Sequence, residues 1–212
     1  MTPDLFETSH DQALAPGAVL LGAFATPVEA ALLAALEQVV AAAPFRRMVT
    51  PGGHVMSAAM TNCGDVGWVT DRKGYRYDPI DPQNGQRWPA MPEVFAELAR
   101  GAATAAGFEA FAPDACLINC YEPGARLSLH QDKDEREYGA PIVSVSLGLP
   151  ATFLFGGLRR ADKPRRVPLS HGDVVVWGGP ARLAFHGVIP LADGEHPLLE
   201  RRRLNLTFRR AL

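Results

Sequence analysis

The second half of the chain consists largely of short runs of apolar or alternating residues bounded by glycine, proline, asparagine and aspartate, and this pattern constrains the fold most. Such runs between turn residues are typical of β-strands. Eight of them follow one another: 115–121, 126–131, 142–149, 151–155, 166–169, 174–177, 184–189 and 202–209. Strands this short and closely spaced predict two facing antiparallel sheets. We therefore expect a mainly β protein with flanking helices, folded as a jelly-roll or double-stranded β-helix.

One of these runs ends in a charged loop that contains a candidate metal-binding pair. His130 and Asp132 lie two positions apart, so an extended chain points them to the same face. His186, in a later strand run, is the best candidate for a third ligand. Two histidines and a carboxylate leave one side of a metal open, which suits iron(II) that binds a co-substrate and dioxygen. The spacing alone also fits a solvated turn. His171 and Asp173 repeat it, but there it is better explained as the turn before the strand at 174–177.

The last strand run carries an unusual polar face. Alternation places Arg203, Asn205, Thr207 and Arg209 on one side, and leucines and a phenylalanine on the other. Two arginines and an amide on one face are hard to explain by packing. They suit a dicarboxylate, because a guanidinium group binds a carboxylate through two hydrogen bonds and stays charged when partly buried.

Together these motifs resemble the AlkB-type alkylation-repair dioxygenases, which depend on iron(II) and 2-oxoglutarate. The resemblance rests on the H-x-D of His130 and Asp132, on His186, on the R-x-N-x-T-x-R run ending at Arg209, and on Asn119-Cys120-Tyr121. It extends over 45–62, 79–82, 114–121, 142–149 and 171–179, which is nearly the whole chain. It implies demethylation of bases such as 1-methyladenine and 3-methylcytosine in DNA, with RNA as a second candidate. Decarboxylation of 2-oxoglutarate would be coupled to methyl hydroxylation, releasing succinate and formaldehyde.

The resemblance also implies a set of ligand-binding residues. His130, Asp132 and His186 would hold the iron, which uses O2 and 2-oxoglutarate. Arg203 is our first choice for the far carboxylate of 2-oxoglutarate, but the pairing of each arginine with a carboxylate stays open. The whole co-substrate set is Asn119, Tyr121, Ser144, Arg203, Asn205 and Arg209.

A segment rich in glycine, proline and aromatic residues, 45–90, has no sustained periodicity and contains Trp68, Tyr75 and Tyr77 among several cations. Aromatic and cationic groups together suit unstacked bases and phosphates, although loop aromatics often only pin a loop to the core. The resemblance implies a nucleotide-recognition lid in which these three residues contact substrate. It also implies a phosphate contact by Arg160. Asp134 would attract a positively charged base, but it is equally well read as a solvated loop charge.

We expect one domain over 1–212. Residues 1–44 would form an arm, a strand and a helix, 45–90 the lid, and 91–212 a buttress helix and the β core. The first sixteen residues are predicted to be a loose arm. Thr26-Pro27-Val28-Glu29 has the pattern of a capping box and predicts the first helix. Met91-Pro92-Glu93 opens the second, which ends by Gly107.

Composition narrows the class of protein. The chain has 212 residues, and 21 basic against 23 acidic residues give a net charge of −2. Nucleic-acid contact must therefore come from local basic patches. The three cysteines form no C-x-x-C pair, which favours a reducing cytoplasm. We expect no secretory signal, no membrane span and a monomer.

Two alternatives remain at this stage. One is an iron and 2-oxoglutarate hydroxylase that acts on a protein side chain or a small metabolite and needs no cationic, aromatic lid. The other is a jelly-roll binding module without catalysis, in which His130 and Asp132 are only surface residues.

Overall fold

A computed structural model describes residues 11–136 and 138–212, which form thirteen strands and two α-helices. The helices are α1 (Glu29–Ala42) and α2 (Glu93–Ala105). The strands are β1 (Gln12–Ala15), β2 (Ala18–Leu21), β3 (Ala59–Gly64), β4 (Gly67–Asp71), β5 (Gly74–Asp78), β6 (Ala115–Tyr121), β7 (Leu127–His130), β8 (Ile142–Gly148), β9 (Ala151–Phe155), β10 (Arg165–Leu169), β11 (Val174–Trp177), β12 (His186–Val188) and β13 (Arg203–Arg209).

The strands form two facing sheets and a separate hairpin. A seven-stranded sheet has the order β1-β2-β11-β8-β13-β6-β3, and a four-stranded sheet has the order β10-β9-β12-β7. Strands β4 and β5 pair only with each other. Neighbouring strands run antiparallel throughout, and all eight strands predicted for the second half are present. The jelly-roll prediction is confirmed.

Strand alternation divides the seven-stranded sheet into an apolar outer face and an inner face that carries polar groups. On β13, Leu204, Leu206 and Phe208 pack in one core with both helices. The opposite face of β13 points between the sheets, where Arg203 and Arg209 are buried. Cys120 on β6 packs with the helices, so it faces away from Asn119 and Tyr121. The helices thus support the sheet that carries the polar face.

The first helix does not use the predicted capping box. Residues Thr26–Val28 form a 3₁₀ turn, α1 begins only at Glu29, and no side chain caps it. Thr26 is already in the turn, and Val28 precedes the helix without a polar side chain. The Glu29 carboxylate instead accepts a hydrogen bond from His171 Nε2 at 2.7 Å. The second helix occupies its predicted position. Among the described residues, no helix is long and apolar enough to cross a membrane.

Two other segments differ from the sequence interpretation. The predicted loose arm lies partly outside the described residues, but its residues 12–15 form β1, which pairs with β2. Within 45–90, β3 is an edge strand of the seven-stranded sheet, paired along its length with β6. Tertiary pairing, which local composition does not encode, orders both segments. Of the strands in this segment, β4 and β5 stand apart as a hairpin.

Candidate metal centre

The two predicted histidines and the aspartate meet between the sheets. His130 ends β7 and lies directly opposite His186 on β12, and their ring centroids are 4.3 Å apart. Asp132 follows β7 and places one carboxylate oxygen 3.5 Å from His130 Nε2 and the other 3.8 Å from His186 Nε2. The three donor atoms lie within 4.8 Å of one another. Strand pairing therefore brings together ligands that are far apart in sequence.

Main-chain carbonyls fix the orientation of both imidazole rings. His130 Nδ1 is 2.9 Å from the carbonyl of Ser128, and His186 Nδ1 is 3.0 Å from that of Ala184. Because a carbonyl only accepts, Nδ1 carries the proton in each ring and Nε2 keeps its lone pair for a metal. Burial, with a contribution from His130, lowers the pKa of His186 from 6.5 to about 4. That ring is therefore neutral at physiological pH and able to bind a metal.

Arg209 keeps the Asp132 carboxylate charged. Its Nε and Nη2 atoms donate to the same carboxylate oxygen at 2.8 and 2.6 Å. Burial of Asp132 opposes ionisation, but Arg209 and the two histidines hold its pKa well below the usual range. The carboxylate in turn raises the pKa of Arg209 despite burial. The pKa of His130 is also raised, because the hydrogen bond and charge of Asp132 outweigh burial. Two oriented imidazoles and an ionised carboxylate fit iron(II), with positions left open.

The predicted co-substrate residues line the inner face beside this triad. Asn205 is held in place, because its Nδ2 donates to Ser144 Oγ at 2.8 Å and to the Val145 carbonyl at 3.0 Å. Asn119 Nδ2 lies 3.4 Å from Asn205 Oδ1. Register places Arg203 opposite Tyr121 and Asn205 opposite Asn119 across the β6–β13 pair. The whole predicted set is therefore contiguous.

Arg203 has the chemistry of an anion site. Its side chain is 1% exposed and donates from Nη2 to Ser146 Oγ at 2.9 Å, but Nε and Nη1 have no hydrogen-bond partner. The Tyr121 hydroxyl is also buried without a partner. No carboxylate among the described residues pairs with Arg203, and burial lowers its pKa. A buried guanidinium without a counter-charge is costly, so these groups fit the carboxylate of a small acid.

The predicted substrate residues lie on the β4–β5 hairpin, in the loop after β7 and in the turn between β9 and β10. Trp68 on β4 stacks on Tyr75 of β5, with ring centroids 5.7 Å apart, and donates from Nε1 to Asp134 at 2.8 Å. The Tyr77 hydroxyl donates to Glu135 at 2.7 Å, and burial raises the pKa of Tyr77 well above its usual value. The hairpin therefore contacts the loop that carries Asp132.

Arg160 is exposed and lies in the turn between β9 and β10. Its Nη1 donates to the Leu129 carbonyl at 2.8 Å, one residue before His130. Its guanidinium carbon also lies 5.9 Å from the centre of the Phe185 ring, one residue before His186. The structure thus places a cation against the residues that directly precede the two histidines.

The rival H-x-D pair plays a different part. His171 Nδ1 accepts a hydrogen bond from the Gly148 amide at 2.9 Å, and its Nε2 donates to Glu29. Both ring nitrogens are therefore hydrogen-bonded within the protein and are not free to bind a metal. The Asp173 carboxylate accepts from the amides of Ser170 and Ala23. The pair stabilises a strand start, as predicted, and does not belong to the metal centre.

Three contributors were missed by the sequence analysis. Ser146 shares the inner face of β8 with Ser144, so strand alternation could have identified it. Glu135 and Arg182 are buried and pair at 3.1 Å. Neither stands out in sequence, because single charged residues in loops are usually solvated.

Comparison with known proteins agrees with this geometry. Residues 17–209 match the family model described as the 2OG-Fe(II) oxygenase superfamily. The chain therefore belongs to this superfamily of iron(II)- and 2-oxoglutarate-dependent dioxygenases. It is 59% identical over 210 residues to the alpha-ketoglutarate-dependent dioxygenase AlkB of Escherichia coli strain K12, covering 98% of this chain and 97% of that protein. Within the superfamily it is of the AlkB type.

Two further relatives extend the comparison. The DNA N(6)-methyladenine demethylase ALKBH1C of Arabidopsis thaliana is 37% identical over 165 residues, covering 66% of this chain and 36% of that protein. The solved structure of OsALKBH1 superposes with a TM-score of 0.81 at 32% identity, covering 95% of this chain and all of that one. The double-stranded β-helix found here is thus the fold of a solved relative.

Proposed function

We propose that this dioxygenase removes methyl groups from alkylated bases of the 1-methyladenine and 3-methylcytosine type in DNA, with RNA as a second substrate. The observation that carries the proposal is the hydrogen bond from Trp68 to Asp134, which lies two residues beyond Asp132. It puts an aromatic face and a carboxylate beside the metal centre. This combination suits a flat base that carries positive charge. The name of the Arabidopsis relative, a DNA N(6)-methyladenine demethylase, supports the removal of a methyl group from a base in DNA.

In this proposal His130, Asp132 and His186 hold iron(II) through two Nε2 lone pairs and a carboxylate oxygen. Iron(II) bound there would, with 2-oxoglutarate and dioxygen, supply the oxidation of the methyl group to a hydroxymethyl group, which would leave as formaldehyde, while 2-oxoglutarate would be converted to succinate and carbon dioxide. The residues of the chain orient both imidazoles, and burial keeps that of His186 neutral. They also keep the Asp132 carboxylate ionised through Arg209.

The co-substrate is proposed to lie on the inner face of β6, β8 and β13. Arg203 and Tyr121 supply unpartnered donors for its far carboxylate, and Asn205 lies between this pair and the metal centre. Arg209 and Asn119 serve the end nearer the metal, since Arg209 already contacts Asp132. Ser144 holds Asn205 in position. The buried, positively charged pocket selects a dicarboxylate.

A methyl group on the pairing edge of a base is out of reach inside a duplex, so the substrate is single-stranded or flipped out. We propose that Trp68, with Tyr75 behind it, stacks on the base, and that Tyr77 aligns the hairpin. Arg160 meets a backbone phosphate. In this arrangement residues 45–90 act as the recognition lid, with the β4–β5 hairpin as its contacting part. The proposal includes a monomer in the cytoplasm, where the three buried cysteines stay reduced.

The test is formaldehyde release from a single-stranded oligonucleotide with one 1-methyladenine, in the presence of iron(II) and 2-oxoglutarate. We expect one formaldehyde per repaired base and none from the unmethylated oligonucleotide. Succinate formation without formaldehyde would contradict the proposal. It would favour the alternative, hydroxylation of a protein side chain or metabolite, which nothing in the named relatives supports at present.

A further inference from the structure

The described residues of the loop that carries Asp132 form no strand or helix, and side-chain hydrogen bonds help to fix its shape. Residues 182 and 183 do so at two points. Arg182 Nη1 donates to the Asp132 carbonyl at 2.9 Å, and Gln131 Nε2 donates to the Leu183 carbonyl at 2.6 Å. Arg182 Nε also donates to the Ala140 carbonyl at 3.1 Å, so one guanidinium clasps both ends of the loop. Its side chain is 3% exposed.

Glu135 lies in the same loop and links it to the hairpin. Its side chain is 1% exposed, and Oε2 lies 3.1 Å from Arg182 Nη2. The other oxygen accepts from the Tyr77 hydroxyl at 2.7 Å and lies 3.4 Å from Arg209 Nε. Arg209 in turn donates to Asp132. Two carboxylates and two guanidinium groups therefore form one buried, charge-balanced cluster, with Tyr77 as its contact on the hairpin.

We propose that Glu135 and Arg182 are positioning residues that tie the β4–β5 hairpin to the iron ligand Asp132. Arg182 sets the main chain at Asp132, while Glu135 shares Arg209 with the Asp132 carboxylate and holds the hairpin through Tyr77. A metal bound to Asp132 therefore stabilises this shared network and with it the hairpin, and the reverse also holds, because coupling between two sites is reciprocal. The role of the hairpin in substrate binding rests on the proposed function, whereas the contacts between the hairpin and the loop are observed in the structure.

The experiment compares amide hydrogen exchange in the hairpin, residues 67–78, with and without Mn(II) plus 2-oxoglutarate. Manganese(II) replaces iron(II) so that no turnover occurs, and no nucleic acid is present. In the wild type we expect amide exchange in the hairpin to slow by about fivefold or more when Mn(II) and 2-oxoglutarate bind. A factor of about five is the lower end of the range typical of coupling between two binding sites. Tyr77→Phe removes one hydroxyl, and Glu135→Gln removes one charge with little change of shape. Each should reduce the slowing to less than about twofold, and the double variant should resemble the single ones.

A second readout reports on the metal side. Under anaerobic conditions, Glu135→Gln and Arg182→Lys should shift the visible absorption of the iron(II)–2-oxoglutarate complex, because the Asp132 carboxylate changes orientation. Tyr77→Phe should not. The control is Glu93→Gln, which breaks an exposed pair with Arg100 on α2 and should leave both readouts at wild-type values.

Wild-type slowing in Tyr77→Phe and Glu135→Gln would overturn the inference, as would the absence of slowing in the wild type. Tyr77→Phe decides the question if Glu135→Gln does not fold, since it removes only a hydroxyl group. Failure of the formaldehyde assay with normal exchange coupling would contradict the proposed substrate and leave this inference standing. The two proposals therefore fail separately.

Discussion

Most side chains of the metal centre are held in place by the protein before a ligand binds. Both imidazoles are fixed by main-chain carbonyls, and Asp132 is fixed by Arg209. Fixed groups lose little freedom on ligand binding, which favours affinity. Arg203 differs because two of its nitrogens have no partner. We therefore expect substitutions at Asp132 and Arg203 to affect different ligands.

Asp132→Asn tests the metal ligand. The amide keeps the shape of the side chain but lacks the negative charge that iron(II) requires. We expect formaldehyde release to fall below detection and the visible band of the anaerobic iron(II)–2-oxoglutarate complex to be lost. In this variant Arg209 still has the asparagine oxygen as a hydrogen-bond acceptor and Glu135 as an ionic partner. The fold should therefore be kept, and the circular dichroism spectrum should match that of the wild type. Asp132→Ala is a poorer test, since removing one partner of a buried pair costs about 3–5 kcal/mol. A variant that keeps the band would show that Asp132 is not a ligand.

Arg203→Ala tests the co-substrate pocket. Loss of one partner of a buried charged pair costs roughly 2 to 5 kcal/mol, so the KM for 2-oxoglutarate should rise by about 30-fold or more. Steady-state kinetics with varied 2-oxoglutarate measures this. Arg202→Ala is the matched control. Arg202 is the exposed residue directly before Arg203, so this variant should leave the KM for 2-oxoglutarate unchanged. An unchanged KM in Arg203→Ala would mean that another group binds the far carboxylate.

At the level of elements, three strands and a hairpin carry most of the site. Strand β13 presents its polar face to the interior and its apolar face to the helices, so one strand both builds the core and lines the pocket. Strands β7 and β12 contribute the histidines from the opposite sheet. The β4–β5 hairpin stands outside both sheets and reaches the site only through side-chain contacts. It is therefore the element best suited to substrate binding without loss of the fold.

Trp68→Ala tests the hairpin. Stacking of a base on an aromatic ring contributes about 1–3 kcal/mol. We expect the KM for a methylated oligonucleotide to rise by about fivefold or more, while the KM for 2-oxoglutarate changes little. Titration of both substrates against the variant separates the two effects. Equal increases in both KM values would instead indicate that Trp68 supports the metal centre as a whole.

At the level of the whole molecule, the net charge of −2 does not favour nucleic acid, so local charge must provide the attraction. The turn between β9 and β10 concentrates exposed cations next to the metal centre. The Arg159 side chain is 86% exposed, Arg160 and Lys163 are exposed in the same turn, and Arg165 and Arg166 are exposed at the start of β10. Binding through such a patch releases counterions and therefore weakens as salt increases.

Arg160→Ala should reduce the salt dependence of binding to a methylated single strand. Loss of one phosphate contact lowers the slope of log K against log salt by about 0.7. Fluorescence anisotropy over a range of salt concentrations measures the slope. Arg100→Ala, on the outer helix α2, should leave the slope unchanged. If both variants give the wild-type slope, Arg160 does not contact phosphate.

The strands and the polar face of β13 could be predicted because their signals are local, whereas the metal triad was identified only through the family resemblance of motifs spread along the chain. Alternation with period two is written in neighbouring residues, and it placed Arg203, Asn205 and Arg209 on one face of β13 and Leu204, Leu206 and Phe208 on the other. The exceptions also have a local cause. The pattern at Thr26 suggested a cap, but the chain there turns too early for the side chain to act.

The sequence by itself determined which residues share a face, because side-chain direction follows from backbone period. Only the tertiary structure decided which faces meet. Asp132 and Arg209 are 77 positions apart, and Trp68 and Asp134 are 66 apart. Arg182 and Glu135 pair only because the fold removes both from water, where either alone would stay solvated. Burial and strand order are properties of the whole chain, so the contacts that position the metal ligand could not be read from any one segment.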